Sequence, residues 1–529
     1  MLESRMVNHL LEKRALLAAT VGLSVGLLGG ILALVLVLVG PLVTFVGVLA
    51  LGIALLALSN LDFALIGLLA MVALLPFGTM PFSFAFTPSL IDVALGGFLV
   101  VYLFQWMTGR RIELLTVPVQ WVILGFIMLL TGAFILGIPN APLTPGVLRR
   151  FVGLMVNIAL ALIIVDVVRS RASLRRVTGV FMVLAGFAAL IGIVLWALDD
   201  FTADAILSRL GRIGYPSGGV LRYREDSVTI LNERAIGTWV DPNAYGGFLM
   251  MAAALVAPQL LSRRPVLGHS WFAFGLLGVI GVALFLSDSR GSMLGLATGL
   301  GIVALLRYRK LIWLLAAVVV LVLVLPVTQS YIDRMIAGFT GADLETQMRF
   351  GEYKDALRLI QRYPVLGVGF AAPPDIDLYI GFASTYLTIA ANAGIIGLIA
   401  YLITIGSVFV YGYLNRRSVT ADHALNDIWF GLLGGIVGAL AGGIFDHFYF
   451  NIEFQATSLT VWLFIGLFLA ATRIANPPDV ADRLVMPRLP AAQGGNLSHA
   501  ARSAEDQAES DGDEQPVVKP PPLAPQSGN

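Results

Sequence analysis

The chain contains no cysteine, so no disulfide framework braces it and the redox compartment is left open. Charge is scarce too: 13% of the 529 residues are Asp, Glu, Lys or Arg against 58% hydrophobic, and the net charge of +1 points to no class of partner. That balance excludes a soluble globular protein. Long Lys/Arg patches of the kind that grip nucleic acid are lacking, so no nucleic acid is expected as a partner. Lacking as well are HExxH, CxxC, GxSxG and a phosphate-binding glycine loop with lysine, which leaves metal, nucleotide and serine-hydrolase readings without support. No metal site and no cofactor are expected. No internal repeat is visible. A cleavable signal peptide is not expected either, because the first apolar run is too long and continues into another.

What the chain does have is apolar runs of membrane-crossing length. Candidate spans fall near 15–39, 41–58, 62–78, 89–107, 117–137, 150–168, 176–198, 238–261, 271–288, 290–307, 310–327, 385–412, 427–446 and 457–474. The expected fold is therefore all-α: a polytopic membrane bundle of about 12–14 helices, with a long outer loop containing short amphipathic helices. The chain divides into six regions: N-terminal spans at 1–198, an outer loop at 199–237, core spans at 238–327, a second long outer loop at 328–384, C-terminal spans at 385–474 and a tail at 475–529. The tail, acidic around Glu505 to Glu514 and ending in a proline run, has too little apolar content to build a core and is expected to be disordered.

Basic connectors at Arg110-Arg111, Arg169 to Arg176, Arg263-Arg264, Arg307 to Lys310 and Arg416-Arg417 all fall on one face, together with Arg5, Lys13 and Arg14. Under the positive-inside rule that face, and with it both termini, is cytoplasmic. The opposite face receives Arg290 and the two long loops, whose many arginines make it basic and attractive to anions.

Four segments on that outer face stand out. Arg234 and Gly237-Thr238 precede Asp241-Pro242-Asn243, where Asp241 reads as an N-cap and Pro242 as the first helical residue. Ser287-Asp288-Ser289-Arg290-Gly291 separates two spans, and its Ser/Asp/Ser cluster is able to cap the second one, placing a guanidinium at a helix N-terminus suited to phosphate. From Arg349, Phe350, Tyr353, Leu357 and Ile360 recur at helical spacing, so a short amphipathic helix begins at Arg349 and stops before Pro364 and a glycine turn. Asp446-His447-Phe448-Tyr449-Phe450-Asn451 closes the thirteenth span in an aromatic belt.

In order, these segments resemble the O-antigen ligase and polymerase family over roughly Arg234 to Phe464. The Arg349 helix with Pro364-Val-Leu-Gly367-Val-Gly369 carries most of the likeness, joined by Tyr386-Leu387 and Gly394-Ile-Ile-Gly397. The resemblance implies a multispanning glycosyltransferase of the GT-C kind in the bacterial cytoplasmic membrane. It would take a glycan from an undecaprenyl-pyrophosphate carrier on the outer side and pass it to a glycan or lipid acceptor, without metal or nucleotide sugar. Arg290 and Arg349 correspond to the family's two arginines. The family's His-Asn-x-Tyr-Leu string is here Ala383-Ser384-Thr385-Tyr386-Leu387, so the imidazole is missing, which favours a polymerase or another branch over a ligase.

The chemistry to be served is displacement at an anomeric carbon with pyrophosphate leaving. Fixed guanidiniums stabilise the charge that grows on it, a task given to Arg290 and Arg349, with Arg234, Asn243, Glu352 and Ser384 as substrate-binding candidates. His447 is the outer-face histidine available as a base. Against a transporter or permease stands the position of the polar groups: few charges lie inside the spans, Asp92 and Asp166 being the main exceptions.

Overall fold

Apolar runs of this length have one economical solution in lipid, the helix, because every backbone N–H and C=O then finds its partner within the segment. The computed structural model describes residues 60–83, 85–215, 233–329, 344–371 and 382–476, with isolated positions outside these stretches. The chain divides into two units, Met1–Leu484 and Val485–Asn529, and the architecture is that of the first. The candidate spans at 15–39 and 41–58 and nearly all of the tail lie outside the described residues.

The helices are α1 (Leu61–Leu74), α2 (Leu90–Met107), α3 (Val119–Gly137), α4 (Pro145–Val167), α5 (Arg171–Ala197), α6 (Asp200–Arg209), α7 (Pro242–Val256), α8 (Ser270–Leu286), α9 (Arg290–Leu306), α10 (Arg309–Val324), α11 (Leu344–Arg362), α12 (Thr385–Ala421), α13 (Asn426–Gly442) and α14 (Gln455–Ala475). The all-α polytopic expectation holds: among the described residues seven helices are long and apolar enough to cross a membrane, and α1, α8, α9 and α13 are shorter apolar helices. Each of the twelve expected spans within the described residues has its helix.

Helices α7 and α14 form the centre, each buried over 89% of its most apolar stretch. The periphery is apolar outward as well: Leu103, Trp121, Phe274 and Val410 are all exposed, as suits a surface facing lipid. Some polar side chains inside the bundle tie helix ends together. Asp166 accepts from Arg111 and Arg169 and from the backbone of Leu115, pinning the ends of α2, α3 and α4 together.

Two glycine arrangements set where the candidate site residues lie. Helices α9 and α13 meet through small residues four apart, Gly295 and Gly299 on one and Gly434 and Gly438 on the other. A Cβ at Gly295 would lie 2.6 Å from the Gly438 carbonyl oxygen, and one at Gly299 would overlap the carbonyl of Gly434. Because α9 begins at Arg290 and α13 ends just before Asp446, this close crossing fixes the approach of those two residues. The second arrangement is a break in α12 at Gly394, whose φ of 72° and ψ of −178° lie outside the helical region. There the Pro364–Gly369 turn docks edge-on: Ile395 N donates to Pro364 O, Val368 N to Ala391 O and Gly369 N to Asn392 O at 2.8, 2.9 and 3.0 Å.

Candidate active site

The four segments singled out in the sequence come together at one end of the bundle. Asp241 caps α7 as expected, accepting from Ala244 N at 2.7 Å, with Pro242 at the first helical position. The backbone pays for this entry with a left-handed Val240 (φ 62°), an unfavourable conformation for a β-branched residue. The turn before α9 is also left-handed, at Asp288 (φ 52°). The cap expected from its serines is not formed: Ser289 precedes α9 but spends its hydroxyl on that of Ser292 at 2.8 Å, and Ser287 donates to Leu284 O. Both serines are fully buried, so packing rather than the orphan N–H groups decides where their hydroxyls point.

Arg234 is 8% exposed and knits this corner. Its Nε donates to Ser287 O at 2.9 Å, and its Nη2 donates to Asn243 Oδ1 at 2.6 Å and to Asp288 O at 3.2 Å. Two residues expected to bind substrate are thus bonded to each other. Ser384 is likewise buried, its hydroxyl donating to Gly443 O at 3.2 Å. Together with Thr385 Oγ1 on Asp446 O and Tyr386 OH on Leu440 O, both at 2.8 Å, it sews the start of α12 to the end of α13. Ala383 lies at the head of that seam beside Tyr353, whose hydroxyl reaches its carbonyl at 3.5 Å.

Helix α11 starts at Leu344, more than a turn before Arg349, which corrects the expectation that Arg349 begins it. The earlier start matters because it adds Glu345. Glu345, Arg349 and Glu352 then share one face at i, i+4 and i+7. Glu345 reaches both expected arginines: Arg290 Nη2 and Arg349 Nη2 each lie 3.0 Å from its carboxylate oxygens. Arg349 also pairs with Asp446 Oδ1 at 3.3 Å and donates to Phe445 O. Sequence reasoning missed Glu345 and the Asp446 pairing; a glutamate one turn ahead of an arginine was the signal available for the first.

Burial and charge set the titration of this cluster. Burial pushes the Asp446 carboxyl up to about 6 against the opposing pull of Arg349, with Asp241 and Glu345 adding to the rise. Arg349 itself is held above its ordinary value, burial being outweighed by Asp446 and Glu345. Burial raises Glu352 to about 7; Arg349 pulls it down while Asp446, Asp355 and Glu345 push it further up. Burial, then the nearby Arg349 charge, lowers His447 to about 4, so its imidazole is neutral near pH 7.

The tautomer of that imidazole follows from its neighbour. Asn451 Oδ1 accepts from Glu453 N at 2.9 Å, which turns the Asn451 amide nitrogen toward His447 Nδ1 at 3.0 Å. With Nδ1 accepting, the proton sits on Nε2, and His447 faces its surroundings as a donor rather than as the expected base.

The raised Glu352 carries a stability consequence. The folded chain keeps this proton in a range where the unfolded chain, at the ordinary value of 4.5, has lost it, so the fold weakens as pH rises from about 4.5 to about 7. Glu352→Gln keeps the neutral form at every pH. Its melting temperature should equal that of the parent near about pH 4 and exceed it near about pH 8. A difference of the same size at both pH values would remove the argument.

Residues 272–402 match the O-antigen ligase family. That stretch is similar to an O-antigen ligase domain. This O-antigen ligase segment runs from α8 to the middle of α12 and includes Arg290, Glu345, Arg349, Glu352 and Ser384; Arg234, Asn243, Asp446 and His447 lie outside it. Comparison with curated proteins gave no match. As an O-antigen ligase-type membrane protein, the chain is assigned to glycan transfer in general terms, with lipid-linked glycans as the substrate class of the family.

Proposed function

We propose that the chain transfers or polymerises glycan from an undecaprenyl-pyrophosphate carrier at the outer face of the cytoplasmic membrane, both termini being cytoplasmic. The observation that carries this reading is the convergence of Arg290 and Arg349, from separate helices, on the single carboxylate of Glu345. Two guanidiniums that grip one carboxylate from two sides can grip the paired oxygens of a pyrophosphate in the same way. Their location at the end of the bundle opposite the basic connectors supports the outward assignment.

In the reaction the acceptor hydroxyl oxygen bonds to the anomeric carbon as the bond from that carbon to the carrier pyrophosphate breaks. The electron pair leaves with the pyrophosphate, where Arg290 and Arg349 receive the added charge in place of Glu345. The acceptor proton passes to a carboxylate, and Glu352, near pKa 7 and on the same helix face as Arg349, is matched to that task. His447, as an Nε2–H donor, is placed to hold a sugar or phosphate oxygen. No metal or organic cofactor enters this scheme, and its GT-C character is part of the same proposal.

Nothing observed favours the transporter reading. Asp92 lies in the first turn of α2 within a capping box with Ser89, and Asp166 sits at the end of α4 in its arginine ties, so neither marks a path through the midplane. The test is reconstitution of the purified chain in liposomes with undecaprenyl-pyrophosphate-linked glycan. Free undecaprenyl pyrophosphate and a lengthened or transferred glycan should accumulate together. Movement of intact carrier-linked glycan across the membrane with no bond exchanged would overturn the assignment.

A further inference from the structure

A cavity of about 140 Å³ with polar and aromatic lining reaches Asn451, the hydrogen-bond partner of His447. Its floor is Asn157 on α4, its walls are Phe77, Trp239 and Phe454, and its rim is the ion pair of Arg150 with Glu453 at 2.8 Å. Arg150, Leu154 and Asn157 line it from one face of α4, spaced i, i+4 and i+7.

A network fixes the polar wall. Ser89 Oγ donates to Gln455 Oε1 at 3.0 Å, Gln455 Nε2 donates to Asp92 Oδ1 at 2.8 Å, and Arg149 pairs with Asp92. Asn157 Nδ2 is spent on Gln455 O at 3.1 Å. Among the described residues its Oδ1 has no hydrogen-bond partner although the residue is fully buried, and Arg150 Nε is buried without one as well. A buried carbonyl oxygen and a buried N–H left open on the same cavity call for a ligand that both donates and accepts, which is the character of a sugar hydroxyl. Arg149 and Arg150, which line the cavity, are each paired with a carboxylate, Asp92 and Glu453, so the four charges cancel. The aromatic walls suit the apolar C–H faces of a pyranose, and the volume suits one ring.

The cavity also connects to the reaction centre. Asn451 and Phe454 line it, and the same two residues hold His447, one through its Nδ1 and the other edge-on at 5.4 Å between rings. His447 adjoins Asp446, the partner of Arg349. We propose that this cavity is a monosaccharide subsite that seats one sugar of the glycan next to the anion cluster, a step that rests on the glycan-transfer reading. The sugar belongs either to the carrier-linked donor or to the acceptor, and the chemistry of the cavity is the same for both.

Saturation-transfer NMR on the detergent-purified full chain tests it, with D-glucose, D-galactose, D-mannose and N-acetyl-D-glucosamine as probes and sugar-free undecaprenyl pyrophosphate as a separate ligand. At least one sugar should show transfer that falls at least tenfold in Asn157→Leu and in Arg150→Met, the second being a rim change that leaves the buried floor intact. Undecaprenyl pyrophosphate should bind both variants as it binds the parent. In turnover, a KM raised for the acceptor alone or for the donor alone supports the subsite and says which sugar it holds. If no sugar binds the parent chain, or if both variants bind as the parent does, the cavity holds only water and the subsite is wrong, whatever undecaprenyl pyrophosphate does. If sugar binds and undecaprenyl pyrophosphate does not, the pyrophosphate reading falls and the subsite stands.

Discussion

Arg290→Ala and Arg349→Ala should each lower glycan transfer by about 10²- to 10³-fold, the effect of removing one fixed donor from a developing negative charge. Both guanidiniums lie against Glu345 and neither is reached by much solvent, so the charge each offers acts through a poorly screened medium. The two substitutions differ in what else they disturb. Arg290 meets Glu345, which is itself partly exposed, so water reaches the carboxylate that truncation uncovers. Arg349 also neutralises Asp446, which is 6% exposed, and its loss leaves a buried carboxyl that must take up a proton. Asp446, already raised to about 6, does so readily, and the combination Arg349→Ala with Asp446→Asn should restore protein level without restoring transfer. Lysine at either position keeps the charge and loses the fork, so it should fall between parent and alanine. Membrane protein level and glycan product measured together decide the matter: full transfer in both alanine variants at normal protein level would end the assignment of these residues.

Gly394→Ala should be the most damaging single-methyl change in the described part of the chain. At φ 72° and ψ −178° the backbone is in a region that glycine alone tolerates, at a cost of about 1–3 kcal/mol for any other residue. The added Cβ would also overlap the carbonyl of Val365 in the docked turn, backbone against backbone, where no rotamer change gives relief. The combined cost should reach about 3 kcal/mol or more, because the break in α12 and the Pro364–Gly369 turn have to separate. Gly406→Ala further along the same helix meets open space and should leave stability unchanged or raise it by up to about 1 kcal/mol. Thermal unfolding of the purified variants compares them directly, and equal melting temperatures would show that the turn is not docked as described. The turn holds the end of α11, so transfer should fall with stability in Gly394→Ala.

This break also explains a part of the resemblance that sequence reasoning could name but not interpret. Pro364 to Gly369 and Gly394 to Gly397 looked like two separate signatures, and they are the two sides of one joint. The string from Ala383 to Leu387 has a similar history. Read as a place where an imidazole is missing, it proves to be the seam between α12 and α13, with Ser384, Thr385 and Tyr386 all bonded across it.

Sequence by itself determined the apolar helices within the described stretches and the N-cap of α7, though not the short α6, because apolar run length and local N–H satisfaction are properties of neighbouring residues. Arg290, at the end of an apolar run, and Arg349, through the family resemblance, were singled out as site candidates from the sequence. Glu345 beside Arg349 is a local pair, but the pairings of Arg290 with Glu345 and of Arg349 with Asp446 were decided by tertiary structure alone. Arg349 and Asp446 are 97 positions apart, and Ser89 and Gln455 in the sugar cavity are 366 apart. Partners at such separations are set by how closely helices cross, here through Gly295, Gly299, Gly434 and Gly438, and by a bend at Gly394. Local pattern carries no record of either distance, because each depends on the shape of a second helix as much as on its own residues.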